Sequence, residues 1–252
     1  MFFYGITDVG KRRSANQDNF IVMRYSSDVL LAVVCDGMGG ANGGNVASSV
    51  ASTVFRDKIS EVEREHPAFF GMSGDDILAC LSSAATEANR AVHQLSMTDS
   101  SLAGMGTTLV GCIVSGEKAY VVNIGDSRLY LAREEEEIKQ ISHDHSYVQY
   151  LVDMGKMSLE EAKNSKNKNL ITRAVGTERT VESDLFTCDI KAGDMIVLCS
   201  DGLTNHVEPH EIGETISGIK TGEDIQSACE SLVASANSRG GLDNITAVVL
   251  SI

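Results

Sequence analysis

The chain has 252 residues, of which 35 are acidic and 21 are basic, so its net charge is −14. Such a charge repels phosphate backbones and anionic lipid, and it argues against a nucleic-acid-binding protein and against a membrane-surface protein. The longest apolar run, from Val29 to Cys35, is too short to cross a bilayer, so we expect no membrane span.

The length suits one large domain, and no Pro-rich or Gly/Ser-rich linker divides the chain. We therefore expect a single domain over residues 1–252. At the N-terminus, apolar residues 1–4 precede basic residues 11–13, which reverses the order found in a secretory signal. The six cysteines include no Cys-x-x-Cys pair, which indicates reduced thiols. Together these features predict a cytoplasmic protein.

The first predicted elements are a buried strand and two helices. The β-branched run Leu30–Cys35 predicts the strand. Apolar residues at helical spacing predict helices over Val46–Ile59 and Ile77–Leu95, each covering a sheet. Between Thr107 and Ile141, strand-like runs broken by turn residues predict an antiparallel meander, in which Glu134–Glu137 form a solvated hairpin loop.

A polar insert follows over residues 143–169, and we expect it to form a flap beside the functional site. It contains a predicted helix over Ser146–Met154 and a capping box in which Ser158 precedes Glu161 by three residues. The remaining elements are predicted strands at Asp184–Ile190, Met195–Cys199 and Ile245–Ile252 and a predicted helix at Glu223–Asn237. Strands in runs and helices in long pairs favour an α+β fold of antiparallel sheets flanked by helices.

Aspartates beside glycine or other small residues recur along the chain, and three of them follow predicted buried strands. These are Asp36, Asp126 and Asp201. A lone carboxylate is unfavourable at a buried strand end, because desolvation and like-charge repulsion both oppose its ionisation. Bound metal explains the pattern, and oxygen ligands without Cys or His favour Mg²⁺ or Mn²⁺. Gly37 lacks a Cβ, so its carbonyl can approach such an ion beside Asp36.

Seven short motifs carry a resemblance to a known family, and they occur in its order almost from end to end of the chain. They are Arg13-x-x-Asn16-Gln17-Asp18, Asp36-Gly37-Met38-Gly39-Gly40, Gly104-Met105-Gly106-Thr107-Thr108, Gly125-Asp126-Ser127-Arg128, Ile171-Thr172-Arg173-Ala174-Val175-Gly176, Ser200-Asp201-Gly202 and Asp243-Asn244-Ile245-Thr246. The set resembles the metal-dependent Ser/Thr protein phosphatases, the PPM or type 2C family, and its compact bacterial branch in particular.

The resemblance implies a four-layer α/β/β/α sandwich with a metal cluster at one edge. By motif match, Asp36, Asp201 and Asp243 would hold a first Mn²⁺ or Mg²⁺ ion. The Asp36 side chain and the Gly37 carbonyl would hold a second ion, so Asp36 would bridge the two. Asp126 and Asp201 match the site of a third, weaker metal.

The resemblance also implies roles around the metals and a reaction. Asp18 matches a carboxylate that reaches the metals through water, and Asn244 lies beside a ligand without being one. Arg13 matches the arginine that grips the substrate phosphate, which a bidentate guanidinium suits. Two divalent ions would lower the pKa of a shared water and direct the hydroxide at the phosphorus of phosphoserine or phosphothreonine.

Two residues depart from the eukaryotic branch of the family. Gln17 stands where those relatives carry a glutamate, and Met38 stands where they carry a histidine proposed as leaving-group acid. Neither side chain here can serve those roles. The residue that protonates the leaving group is therefore unassigned, whereas the nucleophile is unaffected.

The implied partners are phosphorylated proteins and an opposing Ser/Thr kinase system in bacterial signalling, with the phosphatase acting as a monomer. The alternative function is that of a pseudophosphatase, which would bind phosphoproteins without hydrolysing them. Loss of Asp36, Asp201 or Asp243 would favour that alternative, and all three are present. A two-metal nuclease would need a basic groove, which the composition opposes.

Overall fold

The computed structural model describes residues 1–219 and 221–252, without the side chains of residues 41 and 42. Its strands are β1 (Phe2–Asp8), β2 (Asp18–Arg24), β3 (Val29–Met38), β4 (Gly106–Thr107), β5 (Leu109–Ser115), β6 (Lys118–Ile124), β7 (Arg128–Ala132), β8 (Lys139–Gln140), β9 (Asp184–Asp189), β10 (Met195–Cys199) and β11 (Ile245–Ser251). Its α-helices are α1 (Gly40–Glu65), α2 (Gly74–Thr98), α3 (Tyr147–Asp153), α4 (Leu159–Lys163), α5 (Asp201–Thr204), α6 (Pro209–Ile216) and α7 (Gly222–Ser238). None of the described helices has the length and apolar character needed to span a membrane.

The strands form two antiparallel sheets. The first sheet has the order β2-β3-β5-β6-β9, with β4 paired to β3, and the second has the order β1-β11-β10-β7-β8. In the first sheet Asp18 of β2 lies opposite Asp36 of β3. In the second sheet Cys199, the last residue of β10, lies opposite Ala247 near the start of β11. In the first sheet the strand pairing places two predicted site residues side by side. In the second sheet it places the end of β10, which precedes Asp201, beside the start of β11, which follows Asp243.

Strand β3 is buried on both faces and shows how the layers stack. Its odd-numbered residues from 29 to 35 pack against α1 and α2. Its even-numbered residues from 30 to 34 pack against the second sheet, because successive strand side chains point to opposite faces. A third apolar cluster lies between the second sheet and helices α6 and α7. The layer order is thus helix, sheet, sheet, helix, and the predicted α+β sandwich is confirmed.

The predicted meander between Thr107 and Ile141 is wrong at one point. Strands β5 and β6 pair as expected, and so do β7 and β8, but β6 and β7 belong to different sheets. The chain crosses between the sheets at Gly125, which has a φ of 109° and whose added Cβ would lie 2.6 Å from Thr108 Cγ2. In the sequence, a glycine turn between two buried strands is compatible both with a hairpin, in which the strands pair, and with a crossover, in which they do not. The Glu134–Glu137 segment is an exposed loop between β7 and β8, as predicted.

The segment over residues 143–169 contains the two predicted helices. Ser146 caps α3, since its Oγ accepts a hydrogen bond from the Gln149 amide at 3.2 Å. The capping box of Ser158 and Glu161 opens α4. The segment is tied at its base, where the Tyr147 amide donates to the Leu170 carbonyl at 2.7 Å.

Strands β1 and β2 and helix α6 are absent from the sequence-based prediction. Gly5 interrupts the apolar pattern of β1, and the structure shows why a glycine occupies this position. A Cβ at Gly5 would lie 2.5 Å from Cε2 of Phe20 in β2, so glycine permits the two sheets to approach. Helix α6 begins at Pro209, where the missing amide hydrogen costs no helical hydrogen bond.

Candidate metal centre

The aspartates predicted from the sequence meet at one edge of the sandwich. Asp18 begins β2, Asp36 lies near the end of β3, and Asp126 lies in the crossover between β6 and β7. Asp201 is the first residue of α5, directly after β10, and Asp243 lies two residues before β11. Burial raises the pKa of the Asp36 carboxylate, and the other four carboxylates are close enough to raise it further by charge repulsion. Tertiary structure thus gathers carboxylates from five separate segments.

Hydroxyl groups hold the backbone of Asp36 in place. Its amide donates to Thr108 Oγ1 at 2.9 Å, and its carbonyl accepts from the Thr107 hydroxyl at 2.9 Å. Thr108 Oγ1 is in turn 2.7 Å from Ser127 Oγ. Since Ser127 follows Asp126, these bonds connect the segment of Asp36 to the segment of Asp126.

Asp18 lies beneath the cluster and is 6% exposed. Its Oδ2 accepts hydrogen bonds from Ser200 Oγ at 2.7 Å and from Thr246 Oγ1 at 2.6 Å. Burial raises the pKa of Asp18 to about 6, although both hydroxyls act in the opposite direction. Its Oδ1 is buried without a hydrogen-bond partner among the described residues. This free acceptor suits the predicted contact to the metals through water.

The carboxylates of Asp201 and Asp36 are near enough to interact electrostatically. Burial, followed by repulsion from neighbouring carboxylates, raises the pKa of both residues. Asn205 donates to Asp201 Oδ2 at 3.0 Å, whereas Asp201 Oδ1 receives no hydrogen bond from any described residue. Neighbouring buried carboxylates need a shared proton or a cation to be stable.

Asp126 is 9% exposed, and burial followed by repulsion from Asp201 raises its pKa. The nearby Arg128 guanidinium acts in the opposite direction. However, Arg128 is already paired with Asp144, to which its Nη2 donates at 2.7 Å and its Nε at 3.0 Å. The charge of Asp126 is therefore left mostly uncompensated by protein side chains.

Gly37 lies where the backbone of three segments is closely packed. Its amide donates to the Gln17 carbonyl at 3.1 Å. An added Cβ would lie 2.1 Å from the Gly44 carbonyl oxygen and 2.6 Å from that of Gln17. Only glycine fits this close approach of protein backbone, so the packing against Gly44 and Gln17 requires a glycine at position 37.

Arg13 and Asn244 lie around Asp243. Arg13 Nη2 donates to Asp243 Oδ2 at 2.7 Å, and this hydrogen bond raises the pKa of Arg13. The guanidinium is half-exposed, with 52% of its side chain accessible. The backbone amide of Asn244 donates to Asp243 Oδ1 at 2.9 Å, and Asn244 Oδ1 accepts from the backbone amide of Gln17 at 2.8 Å. Asn244 therefore positions a predicted ligand and the loop that carries Arg13.

The donor chemistry of the residues present fits a hard divalent cation. In the described part of the chain, no group of three or more His, Cys, Asp or Glu side chains is arranged to hold an ion by itself. In this arrangement Arg13 engages Asp243, and Asn205 engages Asp201. The unpaired oxygens and uncompensated charges nevertheless match the donor chemistry that Mg²⁺ and Mn²⁺ prefer.

Sequence reasoning did not assign roles to the hydroxyl groups that support the cluster. They are Thr107, Thr108, Ser127, Ser200 and Thr246. All five occur inside the motifs that carry the resemblance, so their motif positions were the available signal. His145 has a structural role beside the site. Its Nδ1 accepts from the Gly125 amide at 3.0 Å, and it thereby fixes the crossover that carries Asp126.

Comparison with protein families gives an independent result. The model described as Protein phosphatase 2C matches residues 10–239. The chain is 35% identical over 244 residues to the serine/threonine phosphatase stp of Listeria monocytogenes, covering 97% of this chain and 93% of that one.

Solved structures resemble the whole chain. The serine/threonine phosphatase Stp1 from Staphylococcus aureus matches with a TM-score of 0.87 and 30% identity, covering 99% of this chain and 94% of that one. The catalytic domain of the serine threonine protein phosphatase PstP, solved with two manganese ions, matches with a TM-score of 0.80 and 34% identity. That match covers 98% of this chain and 96% of the PstP chain.

Proposed function

The chain belongs to the protein phosphatase 2C family, and we propose that its aspartate cluster is the metal-dependent catalytic centre. Like its relatives, the protein is a serine/threonine protein phosphatase and acts on phosphorylated proteins. The observation that carries the assignment of the site is the convergence of Asp18, Asp36, Asp126, Asp201 and Asp243. Among them only Asp243 forms an ion pair within the described residues, with Arg13, so most of the clustered charge lacks a matching cation. The pseudophosphatase alternative has no support, because the predicted ligands are present and the relatives are named phosphatases.

We propose the following division of roles among the site residues. Asp36, Asp201 and Asp243 would hold the first ion, and Asp36 with the Gly37 carbonyl would hold the second. Asp126 would contribute, with Asp201, to a third. When bound, the ions supply positive charge for the phosphoryl group and lower the pKa of a coordinated water.

The remaining residues would orient the substrate and the ligands. Asp18 has a free Oδ1 that can accept a hydrogen bond from water, while its Oδ2 is held by two hydroxyls. Arg13 is exposed beside Asp243, and a guanidinium can bind two oxygens of a phosphate bidentately. Met38 has no proton to donate, so leaving-group protonation must involve another group.

Metal dependence tests this function directly. We expect hydrolysis of phosphoserine and phosphothreonine peptides to require added Mn²⁺ or Mg²⁺ and to stop in excess EDTA, since no described residue provides another evident way to activate water. Malachite-green release of phosphate measures the rate, and re-addition of metal should restore it. Turnover that continues unchanged in EDTA would contradict the proposed centre.

Arg13→Ala should raise KM for a phosphopeptide roughly tenfold and lower kcat less, because a hydrogen bond to a charged group contributes about 1.5–3 kcal/mol. The matched control is Arg12→Ala, which removes the neighbouring exposed cation of the same basic run. Steady-state kinetics of both variants separates the two parameters. An unchanged KM for Arg13→Ala would assign Arg13 to the surface instead.

We propose that residues 143–169 act as a flap that contacts protein substrates. Large apolar side chains are exposed there, with Leu159 at 65% and Tyr150 at 53%. Such side chains can bind a peptide that crosses the surface, whereas a small aryl phosphate needs only the metal cleft.

Exchanging residues 158–168 for a Gly/Ser linker should therefore reduce kcat/KM for phosphopeptides more than for p-nitrophenyl phosphate. Metal titration and circular dichroism should give wild-type results. If a folded variant loses activity equally on both substrates, the segment supports the metal centre and not substrate recognition.

The setting of the reaction is also a proposal. The six cysteines are all free, which supports a reducing compartment, and we propose that the protein works in the cytoplasm as a monomer. A Ser/Thr kinase would supply its phosphorylated substrates. Size-exclusion chromatography with light scattering would test the monomer.

A further inference from the structure

A groove lies between the loop that joins β7 to β8 and helix α6. Its cavity volume is about 780 Å³, which is within the range of ligand-binding sites. Ala132 and Met195 line it from the second sheet, and Gly213 lines it from α6. The metal-site residues described above do not line it, so the groove has no role in the proposed chemistry.

The floor of the groove is apolar. Ile138 and Ile219 are partly buried and line it together with the buried Ile216 and Met195. Gly213 leaves space beside Ile138, since an added Cβ would come within 3.3 Å of Ile138 Cβ. A partner's aliphatic side chains could therefore lose water against this floor and gain hydrophobic stabilisation.

The rim of the groove is acidic. Glu134–Glu137 are exposed on one wall, and Glu214 is exposed on the other. The Arg133 guanidinium is already engaged, because its Nε lies 3.1 Å from each carboxylate oxygen of the buried Asp194. Among the described residues, none forms an ion pair with Glu134, Glu135, Glu137 or Glu214. The charge of the rim therefore favours a cationic partner.

The groove lies at the end of the second sheet that is remote from the metal centre. Strand β7 begins beside Asp126 and ends at Ala132 in the groove, and β10 begins at Met195 in the groove and ends before Asp201. Five strand residues span about 13 Å at 3.3 Å per residue. A chain segment held in the groove could therefore present a phosphorylated residue to the metal centre only through an intervening linker.

We propose that this groove docks a segment of the protein substrate in which aliphatic side chains alternate with Lys or Arg. The aliphatic side chains would lie on Ile138 and Ile219, and the cations would pair with the glutamates of the rim. This inference rests on the proposed phosphatase function, because it places the segment in the substrate. It assigns substrate selection in part to a surface outside the metal centre.

The first test measures binding without catalysis. The probe is a fluorescein-labelled, non-phosphorylated nine-residue peptide of alternating Leu or Ile and Lys or Arg. A second peptide replaces Leu and Ile by Ser and keeps every charge. Fluorescence anisotropy should show the first peptide binding about tenfold more tightly, because only it can bury side chains on the floor. Equal affinities would overturn the apolar groove as a docking site.

The second test locates the binding. The variant E134Q/E135Q/E137Q should weaken binding of the first peptide about fivefold to tenfold, since each exposed charge contributes modestly. The control E65Q/D75N/E182Q removes the same three units of charge from exposed positions elsewhere and should change binding less than about twofold. Equal weakening in both variants would show general attraction to an acidic protein and overturn the proposal. Ile219→Ser provides a second, uncharged test of the floor and should also weaken binding.

The third test identifies the occupant as substrate. A phosphothreonine peptide is joined to the docking peptide through a Gly/Ser linker of about 20 residues, which has a root-mean-square reach of roughly 25 Å. Its kcat/KM should exceed that of the untethered phosphopeptide about fivefold or more, and E134Q/E135Q/E137Q should remove the gain. Binding without any such gain would exclude a substrate segment as the occupant.

Hydrolysis of p-nitrophenyl phosphate separates this inference from the proposed function. The wild type, both triple variants and Ile219→Ser should hydrolyse it at similar, metal-dependent rates. Absence of that activity in every protein would refute the phosphatase assignment and, with it, the substrate as occupant. The anisotropy results would still decide whether the groove binds the peptide.

Discussion

Asp36→Asn should reduce kcat/KM for p-nitrophenyl phosphate and for phosphopeptides by about 10³-fold or more. Asp36 is the only side chain proposed to contact both principal ions, and metal charge contributes several kcal/mol to the transition state, where each 1.4 kcal/mol is tenfold in rate. Steady-state kinetics at saturating Mn²⁺ measures the loss. Asp126→Asn, at the proposed weaker site, should cost less with the small substrate.

A thermal melt separates this loss from misfolding. In EDTA, Asp36→Asn should melt at the wild-type temperature or above, because the substitution removes a buried charge that lies against other carboxylates. Metal should then stabilise the wild type more than the variant, since a ligand that binds only the folded state raises its stability. If Asp126→Asn proves more damaging than Asp36→Asn on p-nitrophenyl phosphate, the bridging assignment is wrong.

Gly37→Ala should lower the free energy of unfolding by about 2–3 kcal/mol and abolish most activity. The added Cβ would lie 2.1 Å from the Gly44 carbonyl oxygen, and backbone on two sides must move to relieve the overlap. That movement would displace the Gly37 carbonyl, which is a proposed metal ligand, and the neighbouring Asp36. Urea unfolding measures the first effect, and metal-dependent phosphate release measures the second.

Gly222→Ala is the matched control for this substitution. Its added Cβ would have Phe2 Cδ1 at 3.6 Å as its nearest neighbour, which is an ordinary contact, and alanine suits the helix that begins there. We expect wild-type activity and equal or higher stability. Wild-type stability and activity in Gly37→Ala would show that the backbone at Gly37 is not constrained as the packing indicates.

The sequence predicted elements whose signal lies within a few neighbouring residues, and it failed where the outcome depends on residues distant in the chain. The β-branched run Met195–Cys199 and the capping box at Ser158 are local patterns, and both elements were predicted correctly. The pairing of β6 with β7 was predicted wrongly at Gly125, since a tight turn fits either a hairpin or a crossover. Strand β1 was not predicted because Gly5 interrupts its run of apolar residues. The need for glycine at position 5 becomes evident only from Phe20 of the other sheet, which leaves no room for a Cβ there.

For the candidate site too, some features follow from the sequence and others only from the tertiary structure. Sequence alone determined which residue types could bind metal, because carboxylates beside glycines form motifs that are recognisable without coordinates. Only the tertiary structure decided that Asp18 lies opposite Asp36 and that hydroxyls of Ser200 and Thr246 hold Asp18. These contacts join residues up to 228 positions apart. The pattern of apolar and polar side chains along one segment indicates which of its residues are buried. Which other segment it contacts depends on the packing of the whole sandwich, and no single segment encodes that packing.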